Sequence, residues 1–216
     1  MFWMRSDGSG QPQKLADFGE AGQPAAVSPG GEWLAFMGFG ESGGVNILTA
    51  PIEGDPDHPK LGKTTPFVTG PSPNIWPKFS PDGRWVAYTS GDPGNRGIVV
   101  RAFPAPGGPW QIDSQGAFPS WSHTGHELFY LSGGRIMVTS YAANGNAFEW
   151  TKPRVWSERH LLELSPPYPT FDIAPDGKSA AVVLYADGTA EEKPVTSVTF
   201  LLNFFDYLRQ RVPVNK

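Results

Sequence analysis

The chain has 216 residues, including 26 glycines and 23 prolines, with a formal net charge of −4 and no cysteine. Without cysteine there is no disulfide framework or thiolate metal site, and the acidic balance argues against nucleic acid as a partner, because phosphate binding needs a basic surface. Aromatic residues make up 13% of the chain, so the glycines and prolines indicate short strands and tight turns rather than disorder.

The first predicted element is a pair of strands in residues 2–15, FWMRSDGSGQPQKL, joined by a turn at Asp7 and Gly8. These strands look like the third and fourth strands of a four-stranded unit. No first or second strand precedes them in the chain as given. We therefore interpret residues 1–23 as a partial unit.

A turn phrase then recurs four times, most clearly as FSPDGRWVAYTS in residues 79–90. Its copies begin at Ser28, Ser80, Ser122 and Ala174, with spacings of 52, 42 and 52 residues. A period of about 40 to 50 residues is typical of one blade of a β-propeller. The predicted turn residues are Ser28, Pro29, Ser80, Pro81, Asp82, Gly83, Ser122, Gly125, Pro175, Asp176 and Gly177.

The copies follow one pattern of turn residues. Proline presets φ at the first central position of the turn, aspartate occupies the second position, and glycine follows. The chain then enters an alternating run in which both faces carry apolar residues, such as Trp85 on one face and Tyr88 on the other. A strand that is apolar on both faces is expected between neighbouring sheets, as in stacked blades. A third and a fourth strand follow in each unit.

The pattern predicts an all-β chain, a β-propeller of four-stranded antiparallel blades with about four blades plus a partial one. Both a small closed ring and membership of a larger propeller fit the repeat number. After the blades, apolar residues at helical spacing predict a short amphipathic helix that Pro213 ends. The predicted units are 1–202 for the blades as a whole, divided into 1–23, 24–73, 74–117, 118–165 and an incomplete 166–202, then 203–212 for the helix.

The repeat resembles the PD40 or WD40-like repeat of TolB-type β-propellers over essentially the whole chain. The segments that carry the likeness include FWMRSDGSGQPQKL, FSPDGRWVAYTS, VVRAFPAPGGPWQID, SHTGHELFYLSGGRIMV and LLNFFDYLRQRVP. In this order they look like the C-terminal sensor propeller of bacterial, acidobacterial-type serine/threonine protein kinases. The sequence departs from the repeat at Gly30, in place of aspartate, and at His123 and Thr124, in place of proline and aspartate.

The resemblance implies a non-catalytic binding or scaffold role, the sensor part of a larger receptor-type kinase on the extracytoplasmic or periplasmic side of a membrane. An upstream kinase and membrane segment would belong to the parent protein. This chain has no glycine-rich ATP loop and no His-Arg-Asp or Asp-Phe-Gly motif, so we expect no kinase activity. The alternatives are a substrate-gating propeller of a prolyl-oligopeptidase-like hydrolase and a TolB-like periplasmic interaction protein.

Three local motifs are similar to catalytic or metal-binding motifs, but their sequence context does not favour these functions. Residues Gly40–Gly44, GESGG, match a nucleophile elbow, but a β-branched strand follows where a helix would be needed, so we interpret them as a turn. Asp55 and Asp57 lack the glycine and glutamate of a calcium loop. The pair His123 and His126 straddles a turn and is expected to face solvent. We expect no enzymatic activity, no metal and no cofactor.

The candidate binding site follows from the propeller geometry. Residues at the first strand of each blade border the central channel, and ligands of propellers usually bind where loops from all blades converge. The candidate site residues are therefore Asn74, Trp76 and Lys78 in the second repeat, and Tyr168 and Asp172 in the matching region of the last repeat. The expected partner is a protein, a peptide or a small ligand. No run of eighteen apolar residues occurs, so no membrane span is expected in this chain.

Overall fold

A computed structural model describes residues 1–5, 7–17, 22–39, 44–55, 57–104, 106–145, 147–162 and 168–184. Every regular element in these ranges is a β-strand. The strands are β1 Phe2–Trp3, β2 Gln13–Lys14, β3 Gln23–Val27, β4 Trp33–Phe39, β5 Val45–Asp55, β6 His58–Leu61, β7 Thr65–Val68, β8 Asn74–Phe79, β9 Trp85–Ser90, β10 Gly97–Ala102, β11 Trp110–Asp113, β12 Ala117–Trp121, β13 Glu127–Ser132, β14 Arg135–Asn144, β15 Ala147–Trp150, β16 Arg154–Ser157, β17 Phe171–Ile173 and β18 Ala180–Val182.

All strand pairs are antiparallel, and they group into five sheets in chain order. We call these sheets blade A (β1 and β2), blade B (β3 to β7), blade C (β8 to β11), blade D (β12 to β16) and blade E (β17 and β18). The sheets of blades B, C and D start at Gln23, Asn74 and Ala117. The predicted helix at 203–212 and the end of the predicted last blade lie outside the described residues.

Strands β5 and β14 each extend beyond the part that pairs within the blade. The sequence pattern does not predict this extension. In β5, Ile47–Thr49 pairs with β7 inside the blade, whereas Ile52–Asp55 pairs with β6 in a separate hairpin. In β14, Ile136–Val138 pairs with β16 and Tyr141–Asn144 pairs with β15 in the same manner. Blades B and D therefore each carry an extra hairpin that blade C lacks.

The repeated turn has the predicted form. In blade C, the amide of Gly83 donates to the carbonyl of Ser80 at 2.9 Å, and Gly83 has a φ of 70°, which glycine adopts without strain. The hydroxyl of Ser80 accepts the amide of Trp85 at 3.0 Å, and the carboxylate of Asp82 accepts the amide of Arg84 at 3.1 Å. These bonds fix the position from which β9 starts.

Strand β9 is buried on both faces, as its sequence predicts. Trp85 packs toward blade D in a cluster that includes Leu128. Val86 packs on the opposite side in a cluster that includes Ala35 of blade B. The first strands of the blades also contact one another, in the order β3, β8, β12 and β17. Stacked antiparallel blades with their first strands together define a β-propeller.

Candidate ligand-binding site

The first strands of blades B to E surround a cavity of about 1110 Å³, which we call the axial cavity. Its wall combines prolines and aromatic rings of these strands with residues of the repeated turns. The lining residues are Pro24, Ala25, Val27, Pro29, Met37, Trp76, Lys78, Phe79, Pro81, Phe118, Pro119, Ser120, Trp121, His123, Pro169, Thr170, Phe171, Asp172, Ala181, Val182 and Val183. Four consecutive units of the repeat therefore build one concave surface.

Strands β3, β8 and β12 each contain a register shift against their neighbouring strand. In β8 the shift includes Trp76, and in β12 it includes Phe118, and these residues have φ values of 54° and 59°. A bulky residue with positive φ is an outlier that persists only when surrounding contacts hold it. A bulge bends a strand and re-aims its side chains. The two bulges therefore decide where these aromatic rings lie on the cavity wall.

Contacts from three directions hold the two bulges. The ring centroids of Trp76 and Phe118 lie 4.1 Å apart with the planes tilted by 37°. The amide of Trp76 donates to the Met37 sulfur of blade B at 3.3 Å, and the amide of Phe118 donates to the buried hydroxyl of Thr89 in blade C at 3.2 Å. The aromatic pair is thus fixed by contacts between blades before any ligand arrives.

Charged side chains complete the wall of the axial cavity. Lys78 and Asp172 line it and are exposed, and neither has an ion-pair partner in the described part of the chain. His123 also lines the cavity and is exposed. An unpaired ammonium and an unpaired carboxylate remain available to a ligand that carries the complementary groups. Within the described ranges, no cluster of three or more histidines and carboxylates could hold a metal ion.

The structure brings three of the five predicted site residues together. Trp76, Lys78 and Asp172 line the axial cavity. Asn74 does not, because it is buried at the start of β8, where its amide nitrogen donates to the Ser72 carbonyl at 3.1 Å and its Oδ1 accepts the Ser90 hydroxyl at 2.9 Å. Its hydrogen bonds connect the start of β8 with the end of β9.

Tyr168, the fifth predicted residue, is 58% exposed and lines a different cavity. Phe118, which stacks on Trp76, is a further lining residue that was not among the predicted site residues. The repeat alignment held the signal for it, because Phe118 and Pro119 occupy the positions of Trp76 and Pro77. Because both repeats have an aromatic residue followed by proline at the same position, the two aromatic residues are expected at equivalent places on the channel wall.

Comparison with solved structures supports the propeller fold. The chain is similar to a candidate TolB from Agrobacterium tumefaciens, with 21% identity and a TM-score of 0.51 over 69% of this chain and 55% of that chain. It is also similar to a candidate 6-phosphogluconolactonase from Bacteroides uniformis, with 16% identity and a TM-score of 0.52 over 83% of this chain and 55% of that chain. No protein-family model and no curated protein matches the sequence.

The chain therefore has a TolB-like β-propeller fold, and it spans 55% of the length of each of these two neighbours. At such identities the likeness concerns architecture alone. Residues 40–43 of the GESGG motif lie outside the described residues, so the interpretation of this motif as a turn stays a prediction. Among the residues that the structure describes, no helix has the length and apolar character to cross a membrane.

Proposed function

We propose that this chain is a non-catalytic binding propeller that holds a peptide segment of a partner in its axial cavity. The observation that carries the proposal is that the Trp76–Phe118 pair and the unpaired charges of Lys78 and Asp172 line the same cavity. A concave apolar wall with a few polar groups is the general form of a ligand site, since the apolar area provides affinity and the polar groups provide orientation.

The size and chemistry of the cavity favour a peptide over a small molecule. Its volume of about 1110 Å³ lies above the usual range of small-molecule pockets, roughly 300 to 1000 Å³. Val27 in blade B and Val182 in blade E line the cavity and are 55% and 39% exposed. An extended segment that covers these side chains and pairs with both charges would bury the apolar surface. Such a segment would carry an apolar residue between an acidic and a basic one.

The wider context comes from the resemblance of the repeats to kinase sensor propellers. We propose that the parent protein is a membrane-anchored receptor-type kinase with this propeller on its extracytoplasmic side. A TolB-like periplasmic scaffold is the second candidate, and the structural similarity to the Agrobacterium protein favours it. In both cases this chain would bind a partner without catalysing a reaction.

Selection from a random peptide library displayed on phage tests the proposal. The purified chain is the bait, and the enriched peptides are then titrated by fluorescence anisotropy against the wild type and four variants. Trp76→Ala and Lys78→Gln should each weaken binding by about tenfold, the equivalent of roughly 1.4 kcal/mol. Trp150→Ala and Lys152→Gln change an exposed tryptophan and an exposed lysine outside the cavity. These two controls should bind as the wild type does.

The titration and the selection can each contradict the proposal. Enriched peptides that bind Trp76→Ala and Trp150→Ala equally well would place recognition elsewhere on the surface. A selection that enriches no peptide would argue against a peptide-binding role. Charge preference gives a further check, because Lys78→Glu should shift the selected peptides from acidic to basic residues at one position.

A further inference from the structure

A second cavity of about 230 Å³, roughly a fifth of the axial volume of 1110 Å³, lies between blades C and D. We call it the inter-blade cavity. Its wall comes from the β9–β10 connection, the start of β12 and the β13–β14 connection, at the opposite end of the blades from the Ser-Pro-Asp-Gly turns. The lining residues are Gly94, Arg96, Gln115, Gly116, Ala117, Phe118, Leu131, Ser132, Gly133, Leu162 and Tyr168.

Among the residues that the structure describes, Arg96 is the one cationic residue of this wall, and no described carboxylate lines it. The Nε of Arg96 is buried without a hydrogen-bond partner, and its guanidinium lies 5.3 Å from the ring centroid of Trp76. The side chain forms no ion pair with any described residue. A buried charged donor without an acceptor is costly, so the site gains free energy when an anion supplies the acceptor.

The rest of the wall indicates the kind of anion. Gln115 and Ser132 can donate hydrogen bonds without adding charge, so the lining offsets a single negative charge. Phe118 and Leu131 provide an apolar side. A guanidinium matches the planar geometry of a carboxylate, whose two oxygens accept parallel N–H bonds. A phosphate dianion would leave one charge without compensation in this small space.

We propose that the inter-blade cavity binds a small monocarboxylate, with the carboxylate on Arg96 and its apolar body against Phe118 and Leu131. This site is separate from the axial cavity, although both share Phe118. The Arg96 guanidinium lies over the ring of Trp76, which lines the axial cavity, so both sites contact one aromatic pair.

Ligand-observed NMR with benzoate as the probe tests this site, at constant ionic strength and with the whole chain. Benzoate should bind with a dissociation constant on the order of 1 mM, the affinity expected of one charge-assisted contact with a small apolar area. Benzamide has the same shape without the charge and should bind at least about tenfold more weakly. Inorganic phosphate is the third probe and should not displace benzoate.

Matched variants locate the site. Arg96→Gln should raise the dissociation constant of benzoate by about tenfold or more. Arg84→Gln is the control, since Arg84 also lies over a tryptophan ring, at 5.4 Å from Trp85, but does not line the cavity. Lys78→Gln removes the cation of the axial cavity instead. Both controls should leave the affinity for benzoate unchanged within about twofold.

Gln115→Glu provides a second test that does not alter Arg96 itself. Gln115 is exposed at the rim, so the variant should fold, and its carboxylate should compete with benzoate for Arg96. Three results would overturn the proposal. They are equal binding of benzoate and benzamide, displacement of benzoate by phosphate, and loss of binding in Lys78→Gln with binding retained in Arg96→Gln.

Discussion

The hydroxyl of Ser80 shows how one side chain can fix a hairpin. It is buried, accepts the amide of Trp85 at 3.0 Å, and is bonded to the carboxylate of Asp82 at 2.5 Å. Ser28 accepts the amide of Trp33 at 3.0 Å in the same manner. A backbone amide at the start of a buried strand would otherwise lose its partner, which explains serine at this position.

Ser80→Ala should lower the free energy of unfolding by about 1 to 2 kcal/mol, because the Trp85 amide is left buried without an acceptor. Denaturant unfolding followed by circular dichroism measures the change. Ser9→Ala is the matched control, since the Ser9 hydroxyl bonds to Asp7 at an exposed site. The control should stay within about 0.5 kcal/mol of the wild type. Equal effects of the two substitutions would mean that the buried hydroxyl does not anchor the hairpin.

At the scale of elements, local chemistry explains what the sequence predicts and what it misses. The turns at Ser28, Ser80, Ser122 and Ala174 lie where the repeat predicts them, since turn residues act on their own neighbourhood. The positive φ of Trp76 and the burial of Asn74 depend on contacts with other strands and blades. No residue pattern within one strand encodes them, so the candidate site was predicted only in part.

The spacing between blades C and D depends on Gly116. A Cβ at this residue would lie 2.8 Å from the ring of Tyr130 and 3.0 Å from the side chain of Ile98. Gly116→Ala should therefore destabilise the protein by about 1 to 3 kcal/mol, as overpacked core sites do. Both neighbours are buried and cannot move away at low cost. Thermal and denaturant unfolding measure the effect.

Gly70→Ala is the control for this element. Its added Cβ would meet only the amide of Asn74 at 3.7 Å, an ordinary contact. Because both substitutions reduce the freedom of the unfolded chain equally, their difference reports the native clash alone. Equal stability of Gly116→Ala and Gly70→Ala would contradict this prediction. It would mean that blades C and D can move apart at Gly116 without a loss of folding free energy.

At the scale of the whole molecule, stability comes from contacts between neighbouring blades. Aromatic rings take part in these contacts, with Trp85 of blade C packed edge-to-face on Phe148 of blade D at 5.2 Å. A blade buries both faces only against its neighbours, so the loss of one interface weakens the next. Buried tyrosines belong to the same interfaces, with Tyr88 between blades B and C and Tyr130 between blades C and D.

These tyrosines predict that the propeller loses stability at high pH. Burial raises the pKa of Tyr88 from 10.0 to about 12, although the Arg101 charge lowers it in part. Burial and the Asp82 charge raise the pKa of Tyr141 to about 12. For Tyr130, burial and a 2.7 Å hydrogen bond to Asp113 also raise the pKa. The folded state therefore holds phenol protons that the unfolded chain releases.

The sign of the effect follows from proton linkage. Below the unfolded pKa of 10.0, both states are protonated and the stabilising contribution is complete. As the pH rises from 10.0 toward about 12, the unfolded chain binds fewer protons than the folded one, so the free energy of unfolding falls.

Unfolding by guanidinium at a series of pH values measures this effect. The midpoint of unfolding should fall as the pH rises through this window. Replacing Tyr88 and Tyr141 together by phenylalanine should flatten the slope. A midpoint that stays constant up to a pH of about 12 would show that these phenols ionise without opening the blade interfaces.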